Sequence, residues 1–320
     1  MKFKITYLLA ALALLVLAAG CGGGDGGGQG GTGGGDGPKL ALSVSTLSNP
    51  FFVTLRDGAQ QAADDAGATL QVSDAQNDAS KQQNDIQNFV TQQFDAVLVN
   101  PVDSEAVGPA IQAANQAEIP VLALDRGAEG GEIATLIASD NMQGGEMAGE
   151  KLIELVGSGN VIQLEGIPGT SAARDRGKGF QQAIDAQSEA QLVASQPAGF
   201  DRNQGLNVSQ NLLQANQDVK GIFAQNDEMA LGAVQALGDR AGSEVSIVGF
   251  DAVDDALKAI QDGKMDATVA QQPAKIGQLG VENAVKVADG ESIEKEIPVE
   301  VKLVTKDNVS QFMSGGGTGG

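Results

Sequence analysis

From Lys39 to about Met313 the chain alternates between short runs of strand-forming apolar residues and longer stretches with helical spacing. Leu40-Ala41-Leu42-Ser43-Val44 is short and rich in strand formers, as a buried parallel strand is. After it the period changes: Phe52, Leu55, Ala59, Ala62 and Ala66 recur at helical spacing, with Arg56, Asp57, Asp64 and Asp65 between them. Strands are predicted at 40–45, 69–73, 96–99, 120–124, 133–138, 160–164, 191–196, 220–224, 245–249, 267–271 and 299–304, with helical patterns in most of the gaps. Such alternation argues for an α/β fold with parallel sheets covered by helices. Eleven strands are too many for one ordinary sheet in a chain of 320 residues, so two sheets are expected. The first domain crossing is placed at Ala138-Ser139-Asp140-Asn141, and no repeat of solenoid type is visible.

The ends read differently. Lys2 and Lys4 precede an apolar run from Ile5 to Ala19, which ends in Ala18-Ala19-Gly20-Cys21 and reads as a secretory signal over 1–21. The run is shorter than the roughly 20 residues of a spanning helix, and no other segment approaches that length, so no transmembrane helix is expected in the mature protein. Cys21 is the only cysteine, which leaves no disulfide and no thiolate metal cluster. Its setting resembles the lipobox of bacterial lipoproteins, although Ala18 stands where that motif more often has leucine; the alternative is a free exported thiol. The resemblance implies lipidation of Cys21 and attachment to a membrane. Residues 22–38, nearly all glycine to Gly37, form a flexible tether with a reach of about 20 to 25 Å, and 314–320 reads as a disordered tail.

Without Lys2 and Lys4, the 20 basic and 41 acidic residues become 18 against 41, a net charge of about −23. That excludes nucleic acid as a natural partner and is the balance expected of a protein kept soluble by hydrated carboxylates in high salt. The chain has no histidine, which removes Ser-His and Cys-His nucleophile pairs, imidazole metal sites and histidine bases together. No strand is followed by a Gly-rich phosphate loop. Asp254-Asp255 reads as a solvated helix face. The reading is therefore of a binding protein, not an enzyme, with no cofactor and no metal.

What stands out is a series of polar residues placed just after strands, where open α/β sheets hold ligands. Ser45-Thr46-Leu47-Ser48-Asn49-Pro50-Phe51-Phe52 follows the first strand. It reads equally as a capped helix start with two core rings and as a ligand wall. Asp125-Arg126 follows Val121-Leu122-Ala123-Leu124; Arg174 and Arg176 follow Leu164-Glu165-Gly166; Asn226-Asp227 follows Ile222-Phe223-Ala224; Asp251 follows Ile247-Val248-Gly249-Phe250. Taken singly, Asp227 reads as a helix cap, Arg174 as a surface or hinge ion pair, and Asp125-Arg126 as a local salt bridge. Together these carboxylates, guanidinium groups and carboxamides suit a neutral polyhydroxylated ligand. Each sugar hydroxyl both donates and accepts, and Phe51 and Phe52 can cover its C–H faces.

These blocks, with Ile137-Ala138-Ser139-Asp140-Asn141 and Gly169-Thr170-Ser171-Ala172-Ala173-Arg174-Asp175-Arg176-Gly177, closely resemble the ribose-binding branch of the type I periplasmic binding proteins, in register from about Lys39 to Asp307. The resemblance implies two Rossmann-like lobes with parallel sheets, joined by a three-strand hinge. One lobe would hold 39–139 and 272–300 and the other 140–271 and 301–313, with crossings near Ser139-Asp140, Gln271-Gln272 and Glu300-Val301. It further implies a monomer that binds D-ribose or a close monosaccharide between the lobes and delivers it to an ABC permease and its ATPase. The place implied is the periplasm or the outer face of the cytoplasmic membrane. Carried across by motif, the first lobe offers Ser45, Asn49, Phe51, Phe52, Asp125 and Arg126, and the second Arg176, Phe200, Asn226, Asp251 and Gln271. Presentation of a bound sugar or autoinducer to a chemoreceptor would use the same pocket and stands as the alternative.

Overall fold

The computed structural model describes residues 37–187 and 190–313. The signal, Cys21, most of the tether and the tail therefore lie outside the described residues.

The first lobe begins with β1 (Lys39–Val44), α1 (Pro50–Ala66), β2 (Thr69–Asp74), α2 (Ala79–Thr91), β3 (Ala96–Val99), α3 (Gly108–Gln116), β4 (Val121–Leu124) and β5 (Thr135–Ser139). The chain then passes into α4 (Asn141–Val156), β6 (Gly159–Glu165), α5 (Ser171–Ala186), β7 (Ala190–Pro197), α6 (Arg202–Ala215), β8 (Val219–Ala224), α7 (Asp227–Leu237), β9 (Ser246–Asp251), α8 (Asp254–Gln261) and β10 (Ala267–Ala270). It ends with α9 (Pro273–Ala288), β11 (Glu296–Val299), β12 (Lys302–Thr305) and α10 (Val309–Met313). One six-stranded sheet has the order β11-β5-β4-β3-β1-β2, the other β12-β10-β9-β8-β6-β7. The first is parallel throughout, whereas β12 runs antiparallel to β10 at the edge of the second.

The segment expected as one strand at 299–304 is two short strands, one in each sheet, parted at Glu300-Val301. Twelve strands are thus found among the described residues where eleven were expected. Pro298 explains the late predicted start: proline lacks the ladder donor and is tolerated here because β11 is an edge strand.

Side-chain alternation along β1 shows where the cores sit. Leu40, Leu42 and Val44 pack with Leu55 of α1 and Ile276 of α9, while Ala41 faces Ile86 and Phe89 of α2 on the other side of the sheet. Helix α9 returns to the first lobe after five of the six strands of the second sheet, β6 to β10. It meets α1 backbone to backbone, because a side chain at Gly58 would strike Ala274 and one at Gly277 would strike Leu55.

In each sheet the strand order reverses next to the first strand of the lobe, between β1 and β3 and between β6 and β8. Loops leaving such a switch point diverge and leave a crevice at the carboxyl ends of the strands. The polar residues singled out above leave those ends.

Candidate functional site

In the first lobe, Asn49 caps α1, its Oδ1 accepting the Phe51 amide at 2.9 Å with Pro50 in the first turn. The cap holds Phe51 and Phe52 edge to face at 5.1 Å. Both rings belong to the apolar core and also line the cleft. After β4, Asp125 adopts a left-handed φ of +66°, and the Arg126 amide bonds back to the Leu124 carbonyl at 2.7 Å. This tight reversal turns both side chains inward. Arg126 donates through Nη1 to the Pro101 carbonyl at 2.9 Å, and its Nε lies 3.6 Å from Asp125 Oδ2.

In the second lobe Arg176 emerges from α5. Its Nε donates to Asn141 Oδ1 at 2.8 Å, its Nη1 to the Gln225 carbonyl at 2.7 Å, and Nη1 lies 3.6 Å from Asp251 Oδ1. The guanidinium stacks 3.8 Å over the Phe250 ring. Asp251 ends β9 with a φ of +120° and accepts Gln271 Nε2 at 2.6 Å. Asn226 caps α7 through the Met229 amide and donates to the Phe200 carbonyl. Phe200, at a φ of +59°, covers Gly166, where a side chain would collide with the ring. Its ring faces Arg126 of the opposite lobe at 5.3 Å and Arg176 at 5.8 Å. Three cleft residues thus hold positive φ, a cost that structures accept where geometry has a use.

Asn49, Phe51, Phe52, Asp125, Arg126, Arg176, Phe200, Asn226, Asp251 and Gln271 line one small cavity. Ser45 is not brought into it: the residue is fully buried behind the wall, its amide donating to Asn100 Oδ1 at 3.1 Å. Asp227 lies outside as well. It sits in the first turn of α7 behind Asn226, accepting Thr268 Oγ1 at 2.7 Å and the Val253 amide at 2.9 Å. Asp254 and Asp255 are exposed at the start of α8, with Asp255 2.9 Å from Arg202.

The cavity is polar. Asp125 Oδ1, Arg126 Nε and Gln271 Oε1 are buried without a hydrogen-bond partner, capacity that a ligand bearing both donors and acceptors can use. Burial pushes the Asp251 carboxyl up to about 7 against the pull of Arg176 and Gln271, and raises Asp125 against Arg126 and Arg176. Burial also lowers Arg126 to about 10 and lowers Arg176. Asp227 is raised by burial and then by Asp251.

The lobes meet beyond the cavity too. The Gly127 amide donates to Ser171 Oγ at 2.8 Å, the Ser171 amide to Ser104 Oγ at 3.2 Å, and the Ser104 amide to the Gly169 carbonyl at 2.9 Å. Arg174 pairs with Glu129 of the other lobe at 3.0 Å, exposed at the rim. This is a closed arrangement.

Sequence reasoning missed Asn100 and Gln82, which support the first-lobe wall from behind. Asn100 directly follows β3, so the rule that singled out the other post-strand residues also covers it. Gln82 carries no such signal, because a polar residue on a helix face reads as solvated until the fold buries it.

Two Rossmann-like lobes that meet around a polar cleft are the architecture of a solute-binding protein. Residues 40–292 match the periplasmic binding protein domain, and the chain belongs to that family as a substrate-binding protein of the ABC sugar-importer class, not an enzyme. It is similar to the ribose import binding protein of Haemophilus influenzae, 54% identical over 83% of this chain and 91% of that one. The proteins of the same name from Escherichia coli and Bacillus subtilis are 53% and 46% identical over 83% of this chain and 90% and 87% of theirs. Among solved structures, a solute-binding protein from Mycobacterium smegmatis with bound glycerol has a TM-score of 0.84 at 36% identity, covering 88% of this chain and 98% of that one. One from Bacillus halodurans with bound myo-inositol has a TM-score of 0.82 at 31% identity, covering 88% and 99%.

Proposed function

We propose that this chain captures D-ribose between its lobes and hands the sugar to an ABC permease. The observation that carries this reading is the meeting of two buried Asp–Arg pairs, one from each lobe, around one small polar cavity. Asp125, Arg126, Arg176 and Asp251 hold the hydroxyls with charge-assisted hydrogen bonds, assisted by Asn49, Asn226 and Gln271. Phe52 and Phe200 cover the two C–H faces of the ring, with Phe51 at its edge. Ser45 acts through the wall and does not touch the sugar. The names of the relatives above support ribose as the ligand.

The lobes hinge at 139–140, 271–272 and 300–301, where the chain passes between the sheets. Bound sugar bridges both pairs and stabilises the closed form, which is the form a permease can distinguish from the empty one. Cys21 carries the lipid and 22–38 spaces the body from the membrane, a reading supported by the signal pattern and the glycine run.

Titration calorimetry on the chain lacking residues 1–21 tests the ligand. Ribose is expected to bind at micromolar concentration or below, and D-allose and myo-inositol more weakly. No heat with ribose alongside tight binding of another sugar overturns the ribose assignment.

A further inference from the structure

We propose that Asn100 is the positioning residue that decides which oxygen of Asp125 is offered to the ligand, and so sets sugar affinity without touching sugar. The inference rests on the binding reading above. Three bonds fix the Asn100 carboxamide. Its Oδ1 accepts the Ser45 amide at 3.1 Å, and its Nδ2 donates to the Leu124 carbonyl at 3.2 Å and to Asp125 Oδ2 at 3.1 Å. The partners settle the orientation, because an amide demands the oxygen and a carbonyl and a carboxylate demand the nitrogen. The main chain of Asn100 is pinned as firmly. Its amide donates to the Ser43 carbonyl at 2.8 Å, and its carbonyl accepts Gln82 Nε2 at 2.9 Å.

The Leu124 carbonyl that Asn100 grips is the same one that closes the reversal at Asp125. A non-glycine residue at a φ of +66° persists only where its surroundings over-determine it, and Asn100 supplies that constraint from both sides of the bend. Asn100 and Arg126 Nε both lie on Oδ2, leaving Oδ1 buried and unpaired. The next residue, Pro101, takes the Arg126 guanidinium on its carbonyl. One dipeptide therefore aims both members of the first-lobe pair.

The test is Asn100→Asp in the full chain, titrated by calorimetry with ribose and D-allose between pH 5.5 and 8.5. The substitution keeps an acceptor for the Ser45 amide but sets a second carboxylate against Asp125, which Arg126 and Arg176 also face. We expect affinity to fall about ten- to hundredfold at pH 8, the loss of a buried hydrogen bond, and to recover as acid restores a proton between the two carboxyls. Affinity within twofold of the wild type at every pH, or a loss that does not change with pH, overturns the proposal. Asn100→Ser and amide hydrogen exchange serve if the aspartate variant does not fold or the wild type binds neither sugar. In ligand-free protein, exchange at Ser45 and Arg126 should quicken at least tenfold while Leu122 keeps its rate, and unchanged exchange at the first two also overturns it. Failure of the wild type to bind ribose speaks against the ligand assignment alone.

Discussion

Asp125 and Arg126 are neighbours in the chain, while Arg176 and Asp251 come from a helix and a strand 75 residues apart in sequence, yet each pair ends with its charges 3.6 Å apart. The first pair is made locally: a strained reversal after β4 throws both side chains the same way. The second is made by packing, since Arg176 is held by Asn141, by the Gln225 carbonyl and by the face of Phe250 before it reaches Asp251. A local pair depends on the backbone that bends it, whereas a packed pair depends on neighbours from several elements. The two lobes offer similar chemistry with different vulnerabilities.

Arg176→Met should separate the two pairs most. It should abolish measurable sugar binding and cost about 3–5 kcal/mol of stability, because a buried Asp251 loses its cation beside buried Asp227. Arg126→Met should also lose binding but cost roughly half as much stability, since Arg126 gives up one carbonyl bond and Asn100 still serves Asp125. Paired thermal and denaturant unfolding checks this, and equal costs would mean that the two pairs are held alike.

Next comes pH. A carboxyl raised to about 7 favours the closed, ligand-free form while protonated, so that stability is complete in acid and is lost as pH rises through about 7. The ligand-free protein should therefore lose a few degrees of Tm between about pH 5 and pH 8, and Asp251→Asn should flatten that slope. Sugar hydroxyls donate to the ionised carboxylate, so affinity should rise over the same interval. A slope unchanged in the asparagine variant would place the titration elsewhere.

The smallest effect is expected outside the cavity. Ser171→Ala deprives the Gly127 amide of its acceptor across the lobes. It should weaken sugar about fivefold through a less populated closed form, with the unfolding midpoint of the empty protein nearly unchanged. Calorimetry beside small-angle scattering of the empty and saturated protein reads both quantities. If affinity does not change, the serine clasp plays no part in closure.

Much of this was legible because the governing signals are local. Apolar runs and helical spacing mark the strands and helices within a few residues of their bounds, and residues at the carboxyl ends of parallel strands face one crevice whatever lies between them. Ten of the eleven proposed ligand residues meet at one cavity, most of them on that rule, with Phe200 and Gln271 added only by the family resemblance. Ser45 escaped it because its place behind the wall depends on Asn100, 55 residues further on. The split of 299–304 escaped because nothing within six residues says that its halves pair with different sheets.

Period, composition and adjacency are enough to read the α/β alternation, the polar residues at strand ends, the absence of histidine chemistry and the pairing of Asp125 with Arg126. That Arg176 meets Asp251, that Phe200 faces the guanidinium groups of both lobes, and that Asn100 and Gln82 brace the wall depends on how distant elements pack. Those contacts join residues far apart in the chain. Whether such a side chain is solvated or buried against a partner is settled by the packing of whole elements, which no local pattern encodes.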